Sequence, residues 1–272
     1  MNTLIEVAES VYDSKYGEEI TDKCNVITLC HFVPYLIEMK KQRSRLSIID
    51  VGCADCTFLL FFKYFFGKEV EKLAGVNLFP LPDEVFAESK KVDELFGDGP
   101  GKIDYIELDI DKEPLPLPNH SFDAVLLTDV LEHLYDPSFA FQEISRVLAP
   151  GGLLLLKTVN CATLRNRVRV LVGKSPYHDF RRWLYYDRLY VPRTGERKFQ
   201  GHIREYTKEE LQQLLNDFGF TPVDVRLYPA SRYRRRTLLK IYNLIEALYP
   251  NYAYTISIVA VKDQTPNNID GM

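Results

Sequence analysis

Apolar positions along this chain follow two different periods. Val26, Ile27, Leu29, Cys30, Val33, Leu36 and Ile37 recur at three- and four-residue spacing, and Lys40, Lys41, Arg43 and Arg45 follow as a polar stop. This predicts a leading helical arm over residues 1–45. Short apolar runs at 46–51, 72–76, 103–108, 122–127 and 152–159 then read as strands, with amphipathic stretches at 57–66, 83–96 and 137–148 as helices between them. Such alternation implies parallel pairing through right-handed crossovers. Pro150-Gly151-Gly152 is expected to end the last of these helices, because proline cannot continue a helix and glycine tolerates the turn that follows.

The pattern breaks over residues 160–206, a stretch dense in Arg and Tyr and containing Trp183, which reads as an insertion or acceptor lid. Periodicity resumes at Thr207, placed to cap a helix with Glu210 three residues later and Gly219 at its end. Strands at 222–228 and 254–261 follow, with a basic amphipathic helix over 234–249 between them. The expected organisation is an arm (1–45), a strand–helix core (46–159), the insertion (160–206), a segment completing the sheet (207–262) and a frayed tail (263–272).

Composition narrows this picture only slightly. Hydrophobic residues at 46% and charged residues at 26% of 272 are ordinary globular values, and no apolar run approaches the roughly 20 residues that cross a bilayer. The first 20 residues lack the basic start and apolar centre of a signal peptide, which gives a cytoplasmic expectation. Five cysteines, odd in number and unevenly spaced, read as reduced thiols, and Cys53-x-x-Cys56 lacks the second pair that a zinc site needs, so no metal is expected. The net charge of −4 is uneven: residues 160–240 carry 18 of the 34 Lys and Arg against 8 Asp and Glu. That excess reads as a solvated surface, or as a match for an anionic acceptor or a membrane surface. With a pI of 5.8, nucleic acid is not expected as a partner.

In an open parallel sheet, ligands bind at the carboxyl ends of the strands. The first strand delivers Asp50-Val51-Gly52-Cys53-Ala54-Asp55-Cys56, in which Gly52 and Ala54 lack bulk where a ligand approaches the backbone. The helix that follows offers free N–H groups to a carboxylate. The second strand ends at Asn77 and Leu78, with an amide suited to ribose hydroxyls. The third ends at Asp109, and the fourth in Thr128-Asp129-Val130-Leu131-Glu132-His133. Singly each reads as a polar strand terminus; four in register favour a site.

These segments, DVGCADC, the acidic turn at Asp109, SFDAVLLTDVLEHL and ISRVLAPGGLLLL, resemble the ordered motifs of class I S-adenosylmethionine (SAM)-dependent methyltransferases over residues 46–159. GHIREYTKEELQQLLNDFGF is similar to a C-terminal element of a subgroup acting on small molecules and cell-surface glycans. The resemblance implies an α/β, Rossmann-like, doubly wound and mostly parallel seven-stranded sheet, with an N-terminal helical arm and an insertion after the fifth strand. It implies SAM as cofactor, with Asp50, Gly52, Cys53 and Ala54 at its methionine end, Asn77 and Leu78 at the ribose, Asp109 and Ile110 at the adenine, and Thr128, Asp129, Val130 and His133 toward the sulfonium. The family usually has glycine where this chain has Ala54 and Cys56, and an acidic residue where it has Asn77. Weakened cofactor binding is therefore expected.

The expected activity is O-methylation of a small molecule, sugar or surface-glycan precursor, phosphate-bearing acceptors included; the alternative is a non-catalytic SAM-fold binding or scaffold protein. Methyl transfer needs positioning above all, and an oxygen acceptor also has a proton to lose, for which a histidine is the natural base. His133 reads either as that base or as a helix-start residue shielding the cofactor. His202, just before the Thr207 cap, reads either as the base or as a loop hydrogen-bonder. Tyr12 and Tyr16 lie on the arm, which in similar enzymes folds over the cofactor.

Overall fold

The computed structural model describes residues 23–80, 102–176, 188–195, 197–199, 201–229 and 248–264. Tyr12, Tyr16, Trp183, the expected helix over 83–96 and nearly all of the basic helix over 234–249 lie outside them.

Helix α1 (Lys23–Gln42) leads into strand β1 (Leu46–Val51), helix α2 (Thr57–Phe66), strand β2 (Val70–Asn77) and strand β3 (Ile103–Glu107). Strand β4 (Phe122–Thr128), helix α3 (Pro137–Val147) and strand β5 (Leu148–Val159) follow. The chain continues through helix α4 (Leu164–Leu171), short strands β6 (Arg188–Tyr190) and β7 (Arg197–Phe199), helix α5 (Lys208–Asp217), and strands β8 (Phe220–Tyr228) and β9 (Thr255–Lys262).

Seven strands form one sheet in the order β3-β2-β1-β4-β5-β9-β8, and β6 pairs with β7 apart from it. The pairs among β1 to β5 are parallel, whereas β9 is antiparallel to both β5 and β8. Period-2 side-chain alternation sends Ile48 and Leu73 to one face, with α1 and α2, and Ile49 and Ala74 to the other, with α3 and α5. β4 is buried at all seven positions, which is why its centre, Ala124 to Leu127, reads as a continuous apolar run.

Two details differ from the expectation. Leu148 already pairs with Phe122, and the register shifts before Ala124 meets Leu153, so Pro150-Gly151-Gly152 sits in an irregularity inside β5 and the helix ends at Val147. The segment after β5 also holds α4, which buries only Asn166, so its apolar residues show no inward-facing stripe. The Thr207–Glu210 capping box forms in both directions, and Gly219 has φ +74° just beyond α5.

α1 is a layer of the core: Leu29, Phe32, Val33 and Leu36 are fully buried, while Ile27 and Ile37 face out. Polar contacts fix it to the antiparallel edge. Thr28 Oγ1 lies 2.6 Å from the Tyr228 hydroxyl, His31 Nδ1 lies 2.7 Å from Ser257 Oγ, and His31 Nε2 lies 3.1 Å from Asp224 Oδ2. Tyr35 also donates to Asp224, at 2.9 Å.

Candidate active site

β2 and β3 lie on one side of β1, β4 and β5 on the other, so strand order reverses between β1 and β4, the place where open α/β sheets bind ligands at the carboxyl ends of their strands. The loop after β1 is pinned there because Gly52 and Cys53 both donate to Val76 O, at 2.7 and 3.0 Å. Gly52 has φ +83°, and a Cβ on it would meet Val130 Cγ2 at 2.0 Å. Only glycine fits, and the contact shows that the β1 and β4 ends converge.

Of the non-glycine residues with positive φ among those described, Ala54 (+46°), Cys56 (+61°) and Asp129 (+56°) all lie at these two strand ends. Left-handed backbone is costly for side chains other than glycine and concentrates at functional sites. Cys56 nevertheless packs fully buried, its Sγ 3.5 Å from that of Cys53. Room for both comes from Gly75 on β2, where a Cβ would stand 2.8 Å from Cys53 Sγ and 3.3 Å from Cys56 Sγ. Neither thiol, nor that of Cys30, is in a disulfide.

Asp50, next to last in β1, is buried, and that burial pushes its carboxyl up to about 7. Its Oδ1 makes no hydrogen bond. A buried carboxylate oxygen without a partner is costly and marks a place where a cationic or donor group belongs. Across the crevice Asp129 Oδ2 accepts from Lys157 Nζ at 2.6 Å, and the same ammonium donates to Asn25 Oδ1 at 2.8 Å. Thr128 is buried beside them.

Asn77 pairs in register with Glu107 on β3. Its amide is 3.4 Å from Phe79 O, just beyond Leu78. Glu107 has a buried Oε1 without a hydrogen bond and with Arg193 Nε 3.9 Å away. Arg193 also pairs with Glu113, so the insertion reaches back over the β3 end. Asp109 turns inward and accepts from Asp111 N at 3.2 Å, holding its own turn, while Ile110 packs in the core.

His133 and His202 meet, their rings 5.1 Å apart and edge-on. His133 Nδ1 lies 3.2 Å from Gly201 O, and His202 Nδ1 lies 2.9 Å from Glu205 Oε1. Ile203 N donates to Glu132 O at 2.7 Å, which brings the end of the insertion onto the turn after β4. Glu132 is buried and hydrogen-bonded by Thr158 Oγ1 at 2.7 Å. Burial, then the charge of Asp129, pushes its carboxyl up to about 7. For His202 burial acts downward, but the hydrogen bond to Glu205 and the charges of Glu132, Glu205 and Asp129 outweigh it and leave its pKa raised. Glu132, His133 and His202 also offer ligand atoms within 4.8 Å of one another, a group that can hold a metal ion or share protons.

Sequence reasoning missed Glu107, Glu132, Lys157, Arg193 and Glu205 as parts of this site. Glu205 stands three residues from His202 and Glu107 two before Asp109, so a local signal existed; Lys157 and Arg193 are joined to the site only through strand pairing and the return of the insertion.

A family model described as a methyltransferase domain matches residues 24–225. A ubiquinone/menaquinone biosynthesis C-methyltransferase of Shewanella sp. (strain ANA-3) is 26% identical over 204 residues, covering 70% of this chain and 72% of that protein. The 1,6-didemethyltoxoflavin-N1-methyltransferase of Burkholderia thailandensis, solved with 1,6-didemethyltoxoflavin and S-adenosylhomocysteine bound, is 14% identical with a TM-score of 0.53, covering 96% of this chain and 89% of that one. A SAM-dependent methyltransferase of Methanosarcina mazei is 23% identical with a TM-score of 0.51, covering 82% and 95%. The two solved structures show the shared fold.

Proposed function

The chain belongs to the methyltransferase-domain family of SAM-dependent enzymes, and from that membership we propose that it methylates an oxygen of a small molecule, sugar or surface-glycan precursor. Bound SAM supplies an activated methyl group on a sulfonium. The partnerless Asp50 oxygen suits the cofactor's ammonium, and the N-terminus of α2 suits its carboxylate. Gly52, Cys53 and Ala54 form the backbone cradle. Asn77 with Glu107 holds the ribose, Glu107 supplying the carboxylate that β2 lacks, while Leu78, Asp109 and Ile110 flank the adenine. Thr128, Asp129 and Val130 border the reacting end, and residues 160–206 act as the acceptor lid.

The observation that carries the oxygen reading is the His133–His202 pair backed by Glu205. Glu205 on Nδ1 fixes the His202 ring and its tautomer, which suits the imidazole to take the acceptor's proton at Nε2. His133, edge-on to it, closes the same wall. A carbon acceptor is the second reading, favoured by the C-methyltransferase relative.

A panel of candidate acceptors with labelled methyl donor tests this. His202→Ala is expected to lose roughly 10²- to 10⁴-fold in turnover and still bind SAM. Because His202 must be neutral to accept a proton and its pKa is raised, activity rises with pH through a limb above 6.5. Glu205→Gln removes a stabilising negative charge and moves that limb to lower pH. Full turnover in His202→Ala, or an unmoved limb in Glu205→Gln, rejects the assignment. Chelator treatment is expected to leave wild-type turnover unchanged, and product analysis distinguishes oxygen from carbon.

A further inference from the structure

An amphipathic helix on a globular surface normally turns its apolar stripe inward. α4 does not. Its N-terminus is capped by Thr163, whose Oγ1 accepts from Asn166 N at 3.1 Å. Its inward residue, Asn166, donates to Cys161 O at 2.9 Å and approaches Glu205 Oε2 at 3.4 Å. The helix is thus held by polar contacts, while Val168, Val170, Leu171 and Val172 face out, Leu171 at 84% exposure and Val172 at 63%. Scattered exposed apolar residues are ordinary; a run of them is an interaction surface.

The charges along this segment share one sign. Across residues 161–176 the charged side chains are Arg165, Arg167, Arg169 and Lys174, and none is acidic. A second segment adjoins it: the Arg167 guanidinium lies 5.1 Å from the Tyr252 ring, which lies 5.8 Å from that of Tyr249. Leu248 and Tyr249 are themselves exposed, at 65% and 60%. Two stretches far apart in sequence therefore place apolar and aromatic groups side by side among arginines.

We propose that α4 and the 248–252 turn form a docking surface for an anionic membrane. The charge pattern selects this occupant, since basic side chains around an apolar face meet both the headgroups and the acyl boundary of such a surface. α4 follows β5 directly and joins His202 through the two oxygens of Glu205, so docking sets the acceptor side of the crevice against the lipid. This goes beyond the oxygen-acceptor reading and does not depend on it.

The test is co-sedimentation of the full chain with vesicles of phosphatidylcholine alone or mixed with phosphatidylglycerol. The wild type is expected to bind only the anionic vesicles, and less at high salt. Arg165→Gln with Lys174→Gln is expected to bind about 30-fold more weakly, at about 1 kcal/mol for each basic residue removed. Leu171→Asp with Val172→Asp is expected to weaken binding as well, and a retained thermal shift with SAM reports intact folding. Absence of wild-type binding, or binding at the wild-type level by either double variant, overturns the proposal. So does a wild-type dimer in sedimentation equilibrium that the Leu171/Val172 variant dissociates, which assigns the surface to a second copy.

Discussion

At Ala54 the backbone is left-handed and the side chain exposed, so the strain is not offset by packing. A left-handed residue other than glycine costs about 1–2 kcal/mol, against about 0.4–1 kcal/mol of unfolded-state entropy gained by glycine. Ala54→Gly is therefore expected to stabilise the protein by roughly 0.5–1 kcal/mol, read as a melting temperature about 1–4 °C higher; an unchanged or lower value contradicts the strain. Cys56 differs because its side chain is buried. The sequence showed both departures from glycine, but not that Gly75 on the next strand makes room for the thiols, since that depends on register. Asp50, His133 and His202 were legible as candidates in strand-end or helix-start positions. Of the partners that set the site's chemistry, Glu205 lay within local reach of His202, whereas Lys157, joined to Asp129 from the neighbouring strand, was not legible, because a hydrogen bond between strands leaves no periodic trace.

α1 shows the same limit at the level of an element. Its apolar spacing was legible, whereas its polar fastening to β8 and β9 spans 226 residues between His31 and Ser257. Burial, with a further push from Arg226, lowers the His31 pKa from 6.5 to about 4, against the opposing pull of Asp224. The folded protein therefore keeps His31 neutral where the unfolded chain takes up a proton. Between pH 6.5 and 4 the unfolded state binds more protons, and this residue's contribution to stability falls with acidification. The melting temperature of His31→Gln is expected to depend less steeply on pH over that window than that of the wild type. Asp50 and Glu132, pushed up to about 7, act in the opposite sense but are common to both proteins. Parallel slopes contradict the account. α4 escaped sequence reading because its arginines interrupt the apolar residues and its face is not buried, so the cue that marks a core helix is missing there.

For the whole molecule, strand–helix alternation was enough to predict parallel pairing through crossovers, and the family resemblance implied the doubly wound sheet that the strand order shows, with β2 and β3 on one side of β1 and β4 and β5 on the other. The antiparallel insertion of β9 between β5 and β8 was not legible, since an apolar run such as Thr255–Lys262 carries no mark of direction. Among the described residues no helix is long and apolar enough to cross a membrane, so the proposed lipid contact is one of surface docking. The central claim is that the β1, β2, β3 and β4 ends build one adenosyl-sulfonium crevice with Asp50 at its charged end. Calorimetric titration with S-adenosylhomocysteine tests it most directly. The wild type should bind at one site and Asp50→Asn roughly ten- to hundredfold more weakly, as loss of a charge-assisted hydrogen bond predicts. No heat with the wild type, or equal affinity in the variant, would contradict it.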